Sequence, residues 1–392
     1  MAEIGLLGSI TLSLCFFVLE LVPHQAQGED PSLDGLCTSS ITIHGYKCQE
    51  LQVTTEDGYI LSLQRIPQGR TEVGDSETKK QPVIIQHGVL VDGRAWLLNS
   101  PEQNLPMILA DNGFDVWIVN ARGTTYSRKH ISLDPSKPAY WNWCWDDMVT
   151  YDLPAIFNYV SKQTGQKINY VGHSLGTLIA LASFTEGKLV NQLKSAALLG
   201  PVAYLSHMKT VLGVLAAKAF IGEIMINTGM PEFDPKGLPV IELIKFLCLA
   251  PGVDCGDVFT AITGDNCCVN ASTVNRFMMH EPQPTSTKNM VHLSQTARSG
   301  VLAKFDNGGI SPPIYNLSNI PHNLPLFISY GGEDALSDVD DVKNLLDHLK
   351  LHDADKLSVQ FIKDYAHADY VMGMNAKDKV YNDVTAFFNR QF

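Results

Sequence analysis

The sequence lacks a basic cluster and has no low-complexity tract. Its 29 lysines and arginines are outnumbered by 41 aspartates and glutamates, which gives a formal net charge of -12. Binding to nucleic acid needs a patch of positive charge that can neutralise phosphates, so nucleic acid is not an expected partner. The 392 residues, 45% of them hydrophobic, are enough for one large α/β domain or two ordinary ones.

Positive charge is also absent before the first apolar stretch. Residues 4–22 are nearly all apolar and are followed by Pro23 and polar residues, as in a transmembrane anchor or a signal peptide. Hydroxyl side chains and Glu20 disfavour the anchor, although a signal peptide usually begins with lysine or arginine. Small residues at 26 and 28 supply a cleavage site. We therefore predict a signal peptide over residues 1–28 and a mature chain that begins near Glu29, which is secreted or enters the endomembrane or vacuolar lumen.

Cysteine is infrequent, and its number in the mature chain is odd. After Cys15 of the predicted signal peptide, seven remain, so at least one thiol is unpaired within the chain. The spacing is compatible with a bridge between Cys37 and Cys48 and with another within residues 248–268, but spacing does not fix the pairing. No pair of histidines lies at ligand spacing near Cys267 and Cys268, so we discount a metal site at these cysteines. We also predict that the chain needs no metal and no cofactor.

Two sequons for N-glycosylation are present. They begin at Asn270 and Asn316 and have the pattern Asn-X-Ser. Both become glycosylation sites only if the chain passes through the secretory route, as the predicted signal peptide implies.

Short apolar segments alternate with helical patterns along most of the chain. This alternation predicts a mostly parallel sheet flanked by helices. Helical patterns precede the glycine at 113, close at Gly165, and cover residues 178–184 and 342–351. The predicted strands, of which the first two form a hairpin, are residues 49–54, 59–66, 82–86, 115–120, 168–171, 194–202, 325–330 and 357–362.

One long segment interrupts this alternation. Residues from about 204 to about 310 have helical patterns without a βαβ repeat, and residues 211–226 and 238–249 are strongly apolar but too short for a clean membrane span. We interpret the segment as a helical cap inserted between two core strands, whose apolar face meets a lipid surface. The alternative is a group of additional core helices.

The sequence around Ser174 has the pattern of a nucleophile elbow. A short β-prone run ends at Val171, the motif Gly172-His173-Ser174-Leu175-Gly176 follows, and an apolar helical run comes next. In such an elbow the serine lies at the tip of a sharp turn, with its Oγ exposed above the sheet. The motif alone occurs often by chance, and a plain turn that contains a serine is the alternative.

A nucleophilic serine needs a base, and the base needs an orienting carboxylate. Asp334 follows the strand at 325–330, so we predict it as the acid, with Glu333 and Asp338 as the alternatives. His367 follows the last strand and is predicted as the base. The order serine, acid, histidine is that of α/β-hydrolases.

Other histidines are less suitably placed to act as the base. His348 and His352 lie on or at the end of a helix that precedes the last strand, and we expect them at the surface. His173 is adjacent to Ser174 in the chain, but neighbouring residues at a strand end point to opposite sides, so we expect it to pack beside the site.

Acyl transfer also requires N–H donors for the oxyanion. The main-chain N–H of Leu175, directly after the serine, is one candidate. The other is the N–H of Val89, in the loop that follows the strand at 82–86. The alternative for the His87-Gly88 pair in this loop is a turn that merely ends the strand.

Long stretches of the mature chain carry a family resemblance. They are HGYKCQELQVTTEDGYILSLQRIP (44–67), QHGVLVDGRAW (86–96), ADNGFDVWIVNARGTTYSRKH (110–130), YDLPAIFNYV (151–160), YVGHSLGT (170–177), the VHLSQ…SG…FD pattern (291–306), GGEDALSD (331–338) and HADY (367–370). Together they resemble the acid lipases, typified by gastric and lysosomal lipases, and especially their plant triacylglycerol-lipase relatives. Mammalian members have glutamine where this chain has Leu175, and their cap cysteine pattern differs from the adjacent Cys267 and Cys268.

The resemblance implies an α/β-hydrolase fold with a helical cap, a triad of Ser174, Asp334 and His367, and oxyanion donors at Val89 and Leu175. The predicted function is a serine lipase that hydrolyses ester bonds of neutral lipids at an oil–water or membrane interface, without an obligate protein partner. The alternatives are a broader carboxylesterase or steryl esterase, an acyltransferase or peptidase with the same triad, and a catalytically silent lipid-binding protein.

Overall fold

The computed structural model describes residues 35–72, 79–247 and 258–391. The predicted signal peptide over residues 1–28 lies outside these ranges, as do Cys248 and Cys255. The domain boundaries at 28 and 29 therefore stay predictions.

A large, mostly parallel sheet forms the centre of the chain. Its strand order is β1-β2-β4-β3-β6-β7-β10-β11, with the short β5 paired to β2. Pairings from β4 through β11 are parallel, whereas β1–β2, β2–β4 and β2–β5 are antiparallel. The strands are β1 Gln49–Thr54, β2 Tyr59–Ile66, β3 Gln81–Gln86, β4 Phe114–Val119, β5 Lys129–His130, β6 Ile168–Ser174, β7 Leu193–Pro201, β10 Leu326–Gly331 and β11 Leu357–Ile362.

The strand predictions are confirmed, with ends that differ by a few residues. The largest difference is in β6, which continues past Val171 as far as Ser174. The extension arises because Gly172 still pairs with Gln86 of β3 while the following residues pair with β7. The strand therefore delivers the serine itself to the carboxyl edge of the sheet.

Both faces of the sheet are buried. Ile84 belongs to one hydrophobic core, whereas its neighbours Val83 and Ile85 belong to the other, as the alternation of side chains along a strand requires. Helices cover these faces, which explains the nearly continuous apolar sequence of the central strands. The helices outside the predicted cap are α1 Leu105–Asp111, α2 Trp145–Asp147, α3 Leu153–Thr164, α4 Leu175–Thr185, α11 Val339–His348, α12 Asp369–Met372 and α13 Asn382–Asn389.

Between β7 and β10, the described residues add no strand to the large sheet. They form a short antiparallel pair, β8 Glu232–Phe233 with β9 Thr285–Ser286, and a group of helices. The apolar run at 211–226 is divided into two helices at Phe220, which has a left-handed backbone with φ 53°. The helices are α5 Val211–Lys218, α6 Ile221–Asn227, α7 Leu238–Leu247, α8 Val258–Thr263, α9 Ala271–His280 and α10 Thr287–Ser299.

Within the described ranges, no helix combines the length and hydropathy needed to cross a membrane. The arrangement between β7 and β10 is that expected of an inserted cap, and its limits at 204 and 310 stay a prediction.

Two disulfides connect described cysteines. Cys37 and Cys48 are bridged, as the spacing allowed. The second bridge joins the adjacent residues Cys267 and Cys268, within the range expected to hold a bridge. Cys144 is a free, buried thiol.

Arg122 forms a buried ionic cluster with two carboxylates. The residue is only 1% exposed. Its guanidinium donates to Asp152, with Nε 2.9 Å from Oδ1, and to Asp57, with Nη1 2.7 Å from Oδ2. It also lies over the ring of Tyr59, 4.0 Å from the centroid. The cluster joins the β1–β2 turn to the segment that leads into α3.

Replacing Arg122 with methionine is expected to lower the free energy of unfolding by about 3–5 kcal/mol, because it leaves the buried Asp152 and the half-buried Asp57 without their cation. Urea unfolding followed by circular dichroism measures the change. Arg70→Met is the matched control, since Arg70 pairs with Glu102 at the surface. Equal shifts of the two unfolding midpoints would contradict the assignment of a structural role to the Arg122 cluster.

Candidate active site

The sharp turn at Ser174 joins β6 to α4. Ser174 has φ 55° and ψ -120°, a region that residues with a side chain rarely adopt. The flanking glycines permit the close packing this turn needs. A Cβ on Gly176 would lie 2.7 Å from the carbonyl oxygen of Gln86, and a Cβ on Gly172 would lie 2.8 Å from the carbonyl group of Gly176. The local geometry is that of a nucleophile elbow.

The residue at the tip of the elbow is more enclosed than the motif indicated. Ser174 is 6% exposed, so the expectation of an exposed residue is wrong. Part of the reason is the loop after β3, because a Cβ on Gly88 would lie only 3.2 Å from Ser174 Oγ. The carbonyl of Ser174 is fixed by Thr177, whose Oγ1 donates to it over 2.6 Å.

Asp334 lies in the turn that follows β10. It is buried, and its Oδ1 accepts main-chain N–H groups from Leu336 and Ser337 at 2.9 and 2.7 Å. The Ser337 hydroxyl in turn donates to the carbonyl of Pro201, at the end of β7. These bonds fix the carboxylate relative to the neighbouring strand.

The alternative acids have other positions. Asp338 caps α11 by accepting the N–H of Asp340, and it pairs with Lys209. Glu333 is exposed. Neither contacts His367, whereas Asp334 does.

His367 follows β11, and its ring is oriented by Asp334. Nδ1 lies 2.9 Å from Oδ2 and 3.0 Å from Oδ1 of that carboxylate. With Nδ1 as the donor, the lone pair of the imidazole is on Nε2, and this atom is buried without a hydrogen-bond partner among the described residues. The tautomer that the contact favours is the one a general base requires.

Ser174 lies at the same edge of the sheet as this pair. In the parallel pairing of β6 with β7, Ser174 is opposite Pro201. The preceding residue, Gly200, packs against the acid and the base, since a Cβ there would lie 3.3 Å from both Asp334 Oδ2 and His367 Nδ1. Ser174 Oγ and His367 form no direct hydrogen bond, and such bonds are often long before substrate binds.

His173 packs beside the site, as expected. Its Nε2 lies 2.9 Å from the carbonyl oxygen of His367, and it is buried against Trp96 and Tyr370. Burial, followed by the proximity of His367, lowers the pKa of His173 well below its usual range. His173 is therefore neutral and adds no positive charge beside His367.

The surface position expected for His352 is wrong. Its ring is buried, with Nε2 2.6 Å from the carbonyl oxygen of Leu324. This contact fixes the start of β10, and His348 is half-buried on α11. Neither histidine is brought to Ser174.

Residues 87–92 form the loop after β3, here named the oxyanion loop because it contains the predicted donor Val89. His87 anchors its start, because Nε2 accepts the N–H of Ala121 over 2.9 Å and Nδ1 lies 2.7 Å from the carbonyl oxygen of Gly88. Burial lowers the pKa of His87 to about 4, which keeps it neutral for these contacts. Among the described residues, no hydrogen bond uses the main-chain N–H of Val89 or Leu175. Both groups remain available to an oxyanion.

Two groups of described residues have the composition of a metal site. Cys267, Cys268 and Asp369 form one, but the two sulfurs are joined in a disulfide. Cys144, Asp146 and His292 form the other, with ligand atoms within 4.8 Å of one another. Burial raises the pKa of the Cys144 thiol, and a protonated thiol is a poor ligand.

Both sequons have accessible positions. Asn316 is exposed and Asn270 is half-buried at the start of α9. In each, the side-chain oxygen accepts a main-chain N–H, from Ser318 and Thr273 respectively, so the amide nitrogen points away from that bond. Glycosylation at these residues stays a prediction.

Sequence reasoning missed the contacts that hold the oxyanion loop from the cap. Gln283 donates its main-chain N–H to the carbonyl oxygen of Leu90 over 2.8 Å. Glu281 approaches Asp92 of the same loop. No local motif marks these residues, because the contacts join positions almost two hundred residues apart.

Comparisons with known proteins agree with this architecture. Residues 37–100 match the family model described as partial alpha/beta-hydrolase lipase region, and residues 81–219 match alpha/beta hydrolase fold. The chain is 55% identical to triacylglycerol lipase 2 of Arabidopsis thaliana over 99% of this chain and 97% of that protein. It is 34% identical to human gastric triacylglycerol lipase, with 89% of each chain covered.

A solved structure with a similar fold is a soluble variant of monoglyceride lipase from Saccharomyces cerevisiae. Its TM-score is 0.57 at 16% identity, over 95% of this chain and 99% of that one. At this identity the likeness concerns the fold, and it supports the α/β-hydrolase prediction.

Proposed function

This chain belongs to the lipase family of α/β-hydrolases, and from that membership we propose that it is a serine lipase that hydrolyses the ester bonds of triacylglycerols. The observation that carries the proposal is the Asp334–His367 contact, with Nε2 left free, at the sheet edge where the Ser174 elbow ends. Relatives named triacylglycerol lipases over nearly the whole chain support the substrate class.

In the proposed mechanism, His367 Nε2 removes the proton of Ser174, whose Oγ attacks the ester carbonyl. Asp334 holds the ring and stabilises the imidazolium that forms. The N–H groups of Val89 and Leu175 stabilise the tetrahedral oxyanion. Formation of this oxyanion is the step that such donors accelerate most. His367 then protonates the departing alcohol. Water attacks the acyl-enzyme by the same route and releases the fatty acid.

The substrate is proposed to reach the site from an oil–water or membrane interface. The segment between β7 and β10 supports this, because it exposes large apolar side chains, among them Phe220, Leu238, Met278 and Met279. A lumenal or extracellular location fits the secretory route of the family, the predicted signal peptide and the disulfides.

The test is release of oleate from emulsified triolein by the purified mature chain, beside a soluble short-chain ester. We expect both substrates to be hydrolysed, and both activities to be lost after labelling of the serine with a fluorophosphonate. Hydrolysis of the short ester alone would indicate an esterase and contradict the lipid-facing cap. Transfer of the acyl group to an added alcohol in preference to water would indicate an acyltransferase. A folded protein that is inactive on both esters would indicate a silent lipid-binding protein.

A further inference from the structure

The segment that follows α9 runs along the oxyanion loop. Its residues Glu281 to Gln283 are called the brace. Gln283 N–H donates to the carbonyl oxygen of Leu90 over 2.8 Å, and Asp92 N–H points to Glu281 Oε1 over 3.4 Å. Leu90 has a left-handed backbone with φ 61°, which a residue with a side chain maintains only when its surroundings enforce it. The brace supplies such enforcement next to Val89.

The Gln283 side chain fastens the brace to a second loop. Its Oε1 accepts the N–H of Thr125 at 3.0 Å and the Thr125 hydroxyl at 2.6 Å. Its Nε2 donates to the carbonyl oxygen of His280 over 2.9 Å. The brace is therefore held at a fixed position between two loops of the sheet edge.

Glu281 and Asp92 form a pair of buried carboxyl groups. Glu281 is 0% exposed and Asp92 is 1% exposed. Glu281 Oε1 lies 3.4 Å from the main-chain nitrogen of Asp92, and no N–H or O–H group of the described residues donates to Glu281 Oε2. Two ionised carboxylates that are buried next to each other repel, so the adjacent pair is favoured when it carries one proton.

The charged groups around the pair place that proton on Glu281. Burial raises the pKa of Asp92 as well, but Asp92 Oδ1 accepts the N–H of Arg94 at 2.8 Å, and the cations of Arg94 and Lys236 oppose the rise, whereas no cation opposes it at Glu281. Lys236 and the neutral His280 flank the brace, and Tyr126 contacts Arg94. Burial first, and then the adjacent Asp92, raise the pKa of Glu281 well above its usual range.

We propose that Glu281 and Gln283 are positioning residues for ester cleavage: they hold the oxyanion loop from the cap side, and the hold depends on one proton shared by Glu281 and Asp92. The inference rests on the proposed function, because the loop matters for catalysis only if Val89 stabilises an oxyanion. Through the brace, the position of the segment between β7 and β10 affects the oxyanion loop, which the triad residues by themselves do not provide.

The direction of the pH effect follows from the raised pKa of Glu281. The protonated pair forms fully below the ordinary glutamate pKa, about 4.3. As the pH rises toward the higher pKa of the folded state, the proton is lost and two adjacent buried anions repel each other. The brace then separates from the oxyanion loop. We expect kcat to fall on the alkaline side, with little change in KM for a small ester.

The test compares kcat and KM across pH for the wild type, Glu281→Gln, Asp92→Asn and Glu102→Gln. An amide at either carboxyl position supplies the donor without a titratable proton. At one pH unit above the wild-type alkaline midpoint, we expect Glu281→Gln and Asp92→Asn to retain about tenfold more of their maximal kcat than the wild type. Glu102→Gln, the same change at an exposed residue, should keep the wild-type profile.

Gln283→Ala tests whether the brace holds the oxyanion loop in position independently of pH. Gln283→Ala removes the bonds to Thr125 and His280 and should lower kcat at every pH without raising KM for the small ester. An alkaline limb that is identical in the wild type, Glu281→Gln and Asp92→Asn would overturn the inference. So would an unchanged kcat in Gln283→Ala. If one amide variant does not fold, the other gives the same comparison.

Failure of the proposed function is recognised separately. It would appear as a folded wild type without ester hydrolysis, or as activity that survives loss of the Ser174 hydroxyl. In that case infrared spectroscopy still decides whether the pair exists. The difference between the wild-type and Glu281→Gln spectra at near-neutral pH should contain the carbonyl band of one buried carboxylic acid, and a difference spectrum without that band would overturn the inference.

Discussion

Ester hydrolysis by Ser174→Ala is expected to be slower than that of the wild type by between about 10⁴- and 10⁶-fold in kcat. The reason is that the covalent route needs Oγ, and the remaining groups can only bind the substrate and stabilise an oxyanion formed by water. KM for a soluble short-chain ester should change little, because the hydroxyl contributes little to binding the ground state. Steady-state hydrolysis and labelling with a fluorophosphonate measure the two consequences.

Ser183→Ala is the matched control for this loss. Ser183 is a buried serine of α4, the helix that begins directly after Ser174, and its hydroxyl has no partner among the described residues. Its removal should leave kcat and labelling unchanged. Labelling that persists in Ser174→Ala would show that another residue is the nucleophile.

Asp334→Asn is expected to lower kcat by about 10⁴-fold while the protein remains folded. The carboxylate now accepts from His367 Nδ1. The amide of asparagine can donate to Nδ1 instead, which moves the ring proton to Nε2 and removes the lone pair that must accept the Ser174 proton. The asparagine can still accept the N–H groups of Leu336 and Ser337, so the turn should keep its shape.

Asp338→Asn separates the role of Asp334 from a general effect of lost charge. Asp338 is also buried, four residues away, and asparagine caps a helix as well as aspartate does. We expect near-wild-type kcat for this control. A large loss of kcat in Asp338→Asn together with an active Asp334→Asn would show that Asp338, and not Asp334, is the acid. Urea unfolding of both variants excludes a stability effect.

Much of this architecture could be predicted from local sequence. The strands of the central sheet are buried on both faces, so they appear as short apolar runs whose ends are marked by glycine or polar residues. The positions of Asp334 and His367 followed from their place after two of these strands, because carboxyl ends of parallel strands lie at one edge. The Asp334–His367 contact in the structure is the one this order predicts.

The failures have a common physical origin. His352 was expected at the surface because it follows an amphipathic helix, but its buried ring bonds to Leu324, a partner that no helical period indicates. Ser174 was expected to be exposed, and its enclosure depends on a loop more than eighty residues earlier in the chain. The brace likewise joins Glu281 to Asp92. Contacts between distant segments leave no periodic signal in either segment.

Residues 263–268, which include the adjacent cysteines, limit how the cap can open over the site. The carbonyl of Thr263 accepts the N–H of His367 over 3.0 Å, and Gly264 forms an isolated β-bridge with Asp334. Asp369 accepts the N–H groups of both Cys267 and Cys268. These hydrogen bonds and the β-bridge tie residues 263–268 to the acid and the base. A displacement of this stretch would therefore also displace Asp334 and His367. An opening that admits the substrate while the triad stays assembled therefore has to leave residues 263–268 in place.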